Sequence, residues 1–198
     1  MALVHSSVDV HVQQSSKNEN VFCGDSYFFK ETKDYFICVL ADGLGSGEYA
    51  YESSNAVITY VEENHAHSVD ELMKESNKKM VHKRGAAVAI LKVDFVEKTF
   101  EYSCVGNIRF YLYSPQGKLT YPLPVTGYLS GRPQKFKTQR FRYEDKSKFL
   151  MHSDGIQVMG IKALMNNRDN LLSISEDILE LQTDISDDST FIIGSLLS

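Results

Sequence analysis

The sequence is poor in several features that define common classes of protein. It has only three cysteines, Cys23, Cys38 and Cys104, an odd number with no close pair. That argues against a disulfide or zinc framework. Only four prolines occur in 198 residues, and no Pro/Gly/Ser-rich or low-complexity tract marks a hinge. At this length a single domain covering 1–198 is expected. No apolar run approaches the roughly 20 residues of a membrane span. The start, Met1-Ala2-Leu3-Val4-His5-Ser6, lacks the basic region and apolar run of a secretory signal. Positive charge is in the minority, with 21 Lys and Arg against 26 Asp and Glu and a net charge of −5. Nucleic-acid proteins draw their affinity from cationic side chains that neutralise phosphates, so that class is set aside. The expectation is a soluble, cytoplasmic monomer without nucleic-acid or membrane partners. What is present, 42% hydrophobic residues with 11% aromatics, suffices for one sizeable core.

Periodicity divides the chain into strands and helices. Residues 4–12 alternate in part and read as a strand, followed by strand-like runs at 27–29 and 35–40, the second ending at Asp42-Gly43. Ala50, Ala56, Val57, Tyr60 and Val61 recur near helical spacing from Glu48 onward. A second helix is predicted over 69–81, with Asp70 and Glu71 in its first turn and Lys78, Lys79 and Lys83 near its end, as the helix dipole favours. Residues 86–93, 99–105 and 108–113 then form an antiparallel meander punctuated by turns. A strand at 148–152, a helix at 174–181 and a strand at 191–193 close the chain. This order is not a regular βαβ alternation, and it favours helices packed outside antiparallel sheets, an α+β layered sandwich.

The most informative residues are aspartates beside apolar strands. Asp42 ends Cys38-Val39-Leu40-Ala41, and Asp154 ends the run from Phe149 to Ser153. Asp25 precedes Ser26-Tyr27-Phe28-Phe29, and Asp187-Asp188 precede Ser189-Thr190-Phe191-Ile192-Ile193. Carboxylates gathered at a sheet edge repel unless a cation lies between them, and hard oxygen ligands select Mg²⁺ or Mn²⁺ rather than zinc. In Asp42-Gly43 and Asp154-Gly155, glycine permits a tight turn and exposes a carbonyl, itself an oxygen ligand. The plainer reading, that Asp-Gly marks a turn, accounts for either pair alone.

Gly24-Asp25-Ser26, Ala41-Asp42-Gly43-Leu44-Gly45-Ser46-Gly47, Arg84-Gly85-Ala86, Val105-Gly106-Asn107, Ser153-Asp154-Gly155 and Asp187-Asp188-Ser189-Thr190 occur in an order that resembles the metal-dependent serine/threonine phosphatases. These are the protein phosphatase 2C (PPM) family, and the SpoIIE-like bacterial branch is the one this chain is similar to along nearly its whole length. The resemblance implies a four-layer α-β-β-α sandwich, with two antiparallel sheets flanked by helices and two divalent cations, Mn²⁺ or Mg²⁺, at the sheet edges. Asp42 would bridge the cations, Asp154 and Asp187 would complete one site, and the Gly43 carbonyl would serve the other. Asp25 would orient a water. Asp188, where the family usually has Asn, would support the centre from behind. The implied reaction is attack of an activated hydroxide on phosphoserine or phosphothreonine, the cations offsetting phosphoryl charge. The implied partners are phosphorylated stressosome scaffold proteins, with negative feedback on the general stress sigma factor. The alternative is a catalytically weak protein of this fold that binds and sequesters its phosphorylated partner.

The chain departs from the family pattern at two residues. Asn20 stands five residues before Asp25 where many relatives place a phosphate-binding arginine, which shifts phosphate binding to the metals or to another cation such as Arg132. Asn107 replaces an acid that often serves a third metal. The short stretch between Asn107 and Asp154 also leaves little room for a flap.

Other signals compete. Gly45-Ser46-Gly47-Glu48-Tyr49-Ala50 matches a dinucleotide-binding pattern but lacks the βαβ context that gives it meaning. His65-x-His67 is spaced by two, so its members do not share a helix face, and it reads as a solvated helix end. His152 and Cys104 read as strand packing, and no nucleophile elbow surrounds Ser46. The basic stretch Lys135, Lys137, Arg140, Arg142, Lys146 and Lys148 reads as an exposed edge. Its functional reading is a docking surface, including Arg132, Arg140 and Arg142, for an acidic or phosphorylated protein.

Overall fold

The computed structural model describes residues 6–166, 170–182 and 187–197. In chain order they form β1 (Val8–Ser15), a short 3-10 turn (Lys17–Glu19), β2 (Asp25–Glu31), β3 (Tyr35–Gly43), α1 (Glu48–Asn64), α2 (Val69–Lys79), β4 (Ala86–Asp94) and β5 (Thr99–Val105). Then follow β6 (Arg109–Tyr113), β7 (Leu119–Thr120), β8 (Gln139–Arg142), β9 (Lys148–His152), α3 (Ile161–Asn166), α4 (Leu171–Glu180) and β10 (Ser189–Leu196). One sheet has the order β1-β10-β9-β6-β7 and the other β2-β3-β4-β5-β8, and every pairing between their strands is antiparallel. The expected strand at 4–12 is β1; Val4 and His5 lie outside the described residues. Beyond the elements expected, the structure adds β7, β8 and α3.

Strand parity builds the layers. In β3, Phe36, Cys38 and Leu40 face the opposing sheet, while Ile37, Val39 and Ala41 face the helices. Both faces are buried, so the strand reads as an unbroken apolar run. Between the sheets, Phe36, Cys38 and Leu40 meet Ala89, Leu91, Phe100, Tyr102, Phe110, Phe149, Met151 and Ile192. The ring contact Phe36–Phe149, with centroids 5.9 Å apart, joins one sheet to the other. On the outer face of β3 and β4, Val57, Ile58 and Val61 of α1 and Leu72 and Met73 of α2 complete a second core. Ile174 and Ile178 of α4, with Met165 of α3, cover Leu150, Phe191 and Ile193 on the far side. The result is the four-layer α-β-β-α sandwich.

Local chemistry fixes the helix ends. Ser68 and Glu71 form a reciprocal capping box at the start of α2. α1 has no basic residue in its last turn. Instead Lys92 of β4 donates to the carbonyls of His65, Ala66 and His67 at 3.0, 3.0 and 2.7 Å. The His65 ring meets the Tyr35 hydroxyl at 2.6 Å and Lys30 Nζ at 2.9 Å. The pair of histidines therefore belongs to the close of a helix.

Candidate metal centre

The apolar rows between the sheets run, at the same parity, into polar residues at one end of the sandwich. Val8, Val10 and Val12 lead to Gln14; Phe36, Cys38 and Leu40 lead to Asp42; Phe149 and Met151 lead to Ser153; Ile192 is preceded by Thr190. Asp25 lies directly opposite Asp42 in the β2–β3 register. Ser153 Oγ donates to Asp25 Oδ2 at 2.7 Å and accepts from Thr190 N–H at 2.9 Å. The Gln14 side-chain amide donates to the Asp25 carbonyl at 3.2 Å and to Thr190 Oγ1 at 3.1 Å. This polar layer closes the core and ties the two sheets together beneath the carboxylates.

Above it opens a cavity of about 630 Å³, lined in part by Asp42, Gly43, Asn107, Asp154, Asp187 and Asp188. Asp25 is 2% exposed and Asp188 5%. Asp188 Oδ1 accepts from the Lys17 main-chain N–H at 2.9 Å, and Asn107 Nδ2 donates to Asp154 Oδ2 at 2.6 Å. Asp25 Oδ1 and Asp188 Oδ2 are buried and have no hydrogen-bond partner among the described residues. Buried polar atoms are rarely left so.

Asp154-Gly155 forms the expected turn, Ile156 N–H donating to the Ser153 carbonyl at 3.3 Å, whereas Gly43 closes a strand, and in both pairs the glycine also meets a distant backbone. A Cβ on Gly43 would lie 1.9 Å from the Ala50 carbonyl oxygen of α1, and one on Gly155 would lie 2.2 Å from the Asp188 carbonyl oxygen. Neither glycine has a left-handed φ. Each is required because another backbone passes against it, drawing α1 onto the Asp42 loop and the Asp188 segment onto the Asp154 loop.

Electrostatics follow from this crowding. Burial, then the charges of Asp25, Asp154, Asp187 and Asp188, push the Asp42 carboxyl up to about 8. Burial pushes Asp25 up to about 6, although the Ser153 hydrogen bond pulls the other way. Asp154 is raised by burial and by Asp187. Such shifts mark a set of like charges that resists ionising together. Every donor is a hard oxygen, suited to Mg²⁺ or Mn²⁺. Among the described residues, no three His, Cys, Asp or Glu close around an ion by themselves. The donors form an open rim, which suits a cation that keeps several of its waters. Orphaned buried oxygens, mutual repulsion and hard donors together fit a divalent cation.

The structure thus brings Asp25, Asp42, Gly43, Asn107, Asp154, Asp187 and Asp188 to one place. It does not bring the basic residues there. Arg140 and Arg142 lie on β8 opposite Glu101 and Thr99, at the other end of β5 from the cavity, and Arg140 donates to the Thr99 hydroxyl. Arg132 is not in the lining, and its carbonyl accepts from Asn77 Nδ2 at 2.8 Å. β8 is an edge strand, as the exposed-edge reading of this stretch expects. The Gly45-x-Gly47 loop opens α1 without a parallel strand after it, which removes the dinucleotide reading. His152 is buried, its ring 6.1 Å from that of Tyr111. The sequence reading missed Gln14, Ser153 and Thr190, whose signal was parity with the apolar rows, and Lys17, which lines the cavity.

Known proteins agree with this geometry. Residues 32–193 match the model of the family described as Stage II sporulation protein E (SpoIIE). The chain is 43% identical over 185 residues to the phosphoserine phosphatase RsbX of Bacillus subtilis (strain 168), covering 93% of each chain. It superposes on a crystal structure of RsbX in complex with magnesium with a TM-score of 0.92 at 42% identity, covering 96% of this chain and 95% of that one. The PP2C phosphatase domain of SpoIIE from Bacillus subtilis shares the fold at 16% identity, with a TM-score of 0.81 over 95% of this chain and 63% of the other. Family model, overall identity and layer order converge, and the chain belongs to the SpoIIE family.

Proposed function

We propose that this chain is a metal-dependent serine/threonine protein phosphatase, one catalytic domain over 1–198. The reading rests on one observation above all: aspartates from four separate places in the sequence, Asp25, Asp42, Asp154 and Asp187-Asp188, meet at one end of the sandwich, and two of their buried carboxylate oxygens have no hydrogen-bond partner among the described residues. RsbX, to which the chain is 43% identical, is a phosphoserine phosphatase, and its crystal structure contains magnesium. Asp42, Asp154 and Asp187, with the Gly43 carbonyl, would hold two divalent cations, Mg²⁺ or Mn²⁺. When bound, these supply Lewis acidity that lowers the proton affinity of a water and offsets phosphoryl charge.

The chain's own residues do the positioning. Ser153 fixes the rotamer of Asp25 through Oδ2, and Asp25 Oδ1, buried without a hydrogen-bond partner among the described residues, would orient a water. Asn107 holds Asp154 at Oδ2, and both residues line the cavity. Asp188 anchors the Lys17 turn over the opening. The open mouth admits a phosphorylated side chain carried on a folded protein. Following the resemblance, the protein substrates are phosphorylated scaffold proteins of the stressosome, and the enzyme limits activation of the general stress sigma factor. Hydrolysis of a phosphoserine peptide should require Mg²⁺ or Mn²⁺ and stop in EDTA. Asp42→Ala and Asp154→Ala should each abolish it while far-UV circular dichroism stays unchanged. Full activity in EDTA, or in either variant, overturns the reading.

A further inference from the structure

A phosphoryl dianion entering a mouth lined with carboxylates needs positive charge that the carboxylates do not supply. Among the described residues lining the cavity, one is a cation: Lys17. Its Nζ lies 3.9 Å from Asp187 Oδ1, with the side chain 35% exposed, so the ammonium is in the opening without being sealed into an ion pair. The turn that presents it is pinned. Lys17 N–H donates to the buried Asp188, Asn20 N–H donates to the Lys17 carbonyl at 3.0 Å, and Ser16 Oγ donates to the Asn20 carbonyl at 2.8 Å. Within that turn Asn18 and Glu19 take left-handed φ values of 49° and 57°. Neither is glycine, and such conformations persist where the surroundings enforce them.

The other cations considered are worse placed. Arg132 stands outside the lining. Arg84 is also outside the lining: its Nη1 lies against Gly45 at the rim, where a Cβ would come within 2.6 Å of it, and its guanidinium is held 5.0 Å above the Tyr49 ring. Asn20, which the resemblance aligns with a phosphate-binding arginine, carries no charge.

We propose that Lys17 is the phosphate-binding cation of this chain, its ammonium donating to the non-bridging phosphoryl oxygens of the substrate and of the phosphate product. The proposal rests on the phosphatase reading above. A lysine ammonium is a compact point charge with three donors on a flexible stem. From its present position it can turn from Asp187 toward an anion without moving the main chain. The rival role is a counter-ion that serves Asp187 alone.

The test uses Lys17→Met and Lys17→Arg in the full chain. The Lys17 bond to Asp188 is made by the main chain, so both variants keep it, and Lys17→Gln provides a third variant should Lys17→Met fold poorly. In Mg²⁺, KM for p-nitrophenyl phosphate and the inhibition constant of inorganic phosphate should both rise by roughly 10-fold in Lys17→Met, the lower end for a charge-assisted hydrogen bond. kcat should change by less than about twofold, as expected for binding shared by ground and transition states. Lys17→Arg should recover most of the loss. Independently of turnover, the rise in Tm produced by inorganic phosphate should shrink in Lys17→Met and return in Lys17→Arg. Unchanged phosphate affinity overturns the proposal, as does tighter Mg²⁺ binding with phosphate affinity unaltered, which would make Lys17 a counter-ion only. If the wild-type chain hydrolyses nothing in Mg²⁺, the phosphatase reading falls, while the phosphate-dependent Tm still decides the role of Lys17.

Discussion

Replacing Asp42 by Asn should stabilise the metal-free protein while removing its response to metal. Asp42 lies opposite Asp25 across the β2–β3 ladder, where directly paired residues have Cβ atoms about 5 Å apart. Two unit charges at about 5 Å in an effective dielectric of about 20 repel by about 3 kcal/mol. Asp42 is partly buried at the cavity mouth, so solvent screening brings the relief expected from Asp42→Asn to about 1–3 kcal/mol. For a chain of this size that corresponds to roughly 2–12 °C in Tm.

The pH dependence has a definite sign. Unfolded aspartates titrate near 3.9, whereas folded Asp25 and Asp42 stand at about 6 and about 8. The folded state therefore binds protons more tightly, and acidification favours it. In EDTA, the wild-type chain should lose stability relative to Asp42→Asn as pH rises from about 4 to about 8, the gap closing again toward about pH 4. Added Mg²⁺ binds the folded state alone and should raise the wild-type Tm, with little effect on Asp42→Asn. Thermal melts in EDTA and in Mg²⁺ across this range measure both effects. An Asp42→Asn variant less stable than wild type in EDTA at pH 8 would refute the repulsion argument. An equal Mg²⁺ shift in both proteins would refute Asp42 as a ligand.

Two further substitutions test the scaffold beneath the site. Gly43→Ala should cost about 4 kcal/mol or more in urea unfolding, because its Cβ would meet the Ala50 carbonyl at 1.9 Å and α1 would have to move; a cost below about 1 kcal/mol would show that the close approach is not needed. Ser153→Ala should cost about 2 kcal/mol, since it strips a bond from the buried Asp25 carboxylate and leaves the Thr190 N–H unpartnered. A neutral result in the same assay would mean that Ser153 is not what holds Asp25.

The sequence showed the aspartates because each ends or begins an apolar run, and it showed the layers because β3 carries core residues on both parities. Shorter or more polar elements were not legible. β8 has one apolar residue, Phe141, between Arg140 and Arg142, so its charge pattern masked its pairing with β5. α3 is a six-residue helix, short for any periodic signal. The glycines after Asp42 and Asp154 were visible, but their purpose was not: a sequence cannot say whether glycine is there to turn or to let a distant backbone pass, and here Ala50 and Asp188 pass. Lys17 shows the same limit. A lysine eight residues before Asp25 carries no local mark of function. It enters the cavity only because β1 pairs with β10, which carries Asp188 to the Lys17 main chain. Carboxylates that terminate core strands can be read from one segment at a time. Groups that meet substrate by way of a pairing between the two ends of the chain cannot, since their meaning lies in the register.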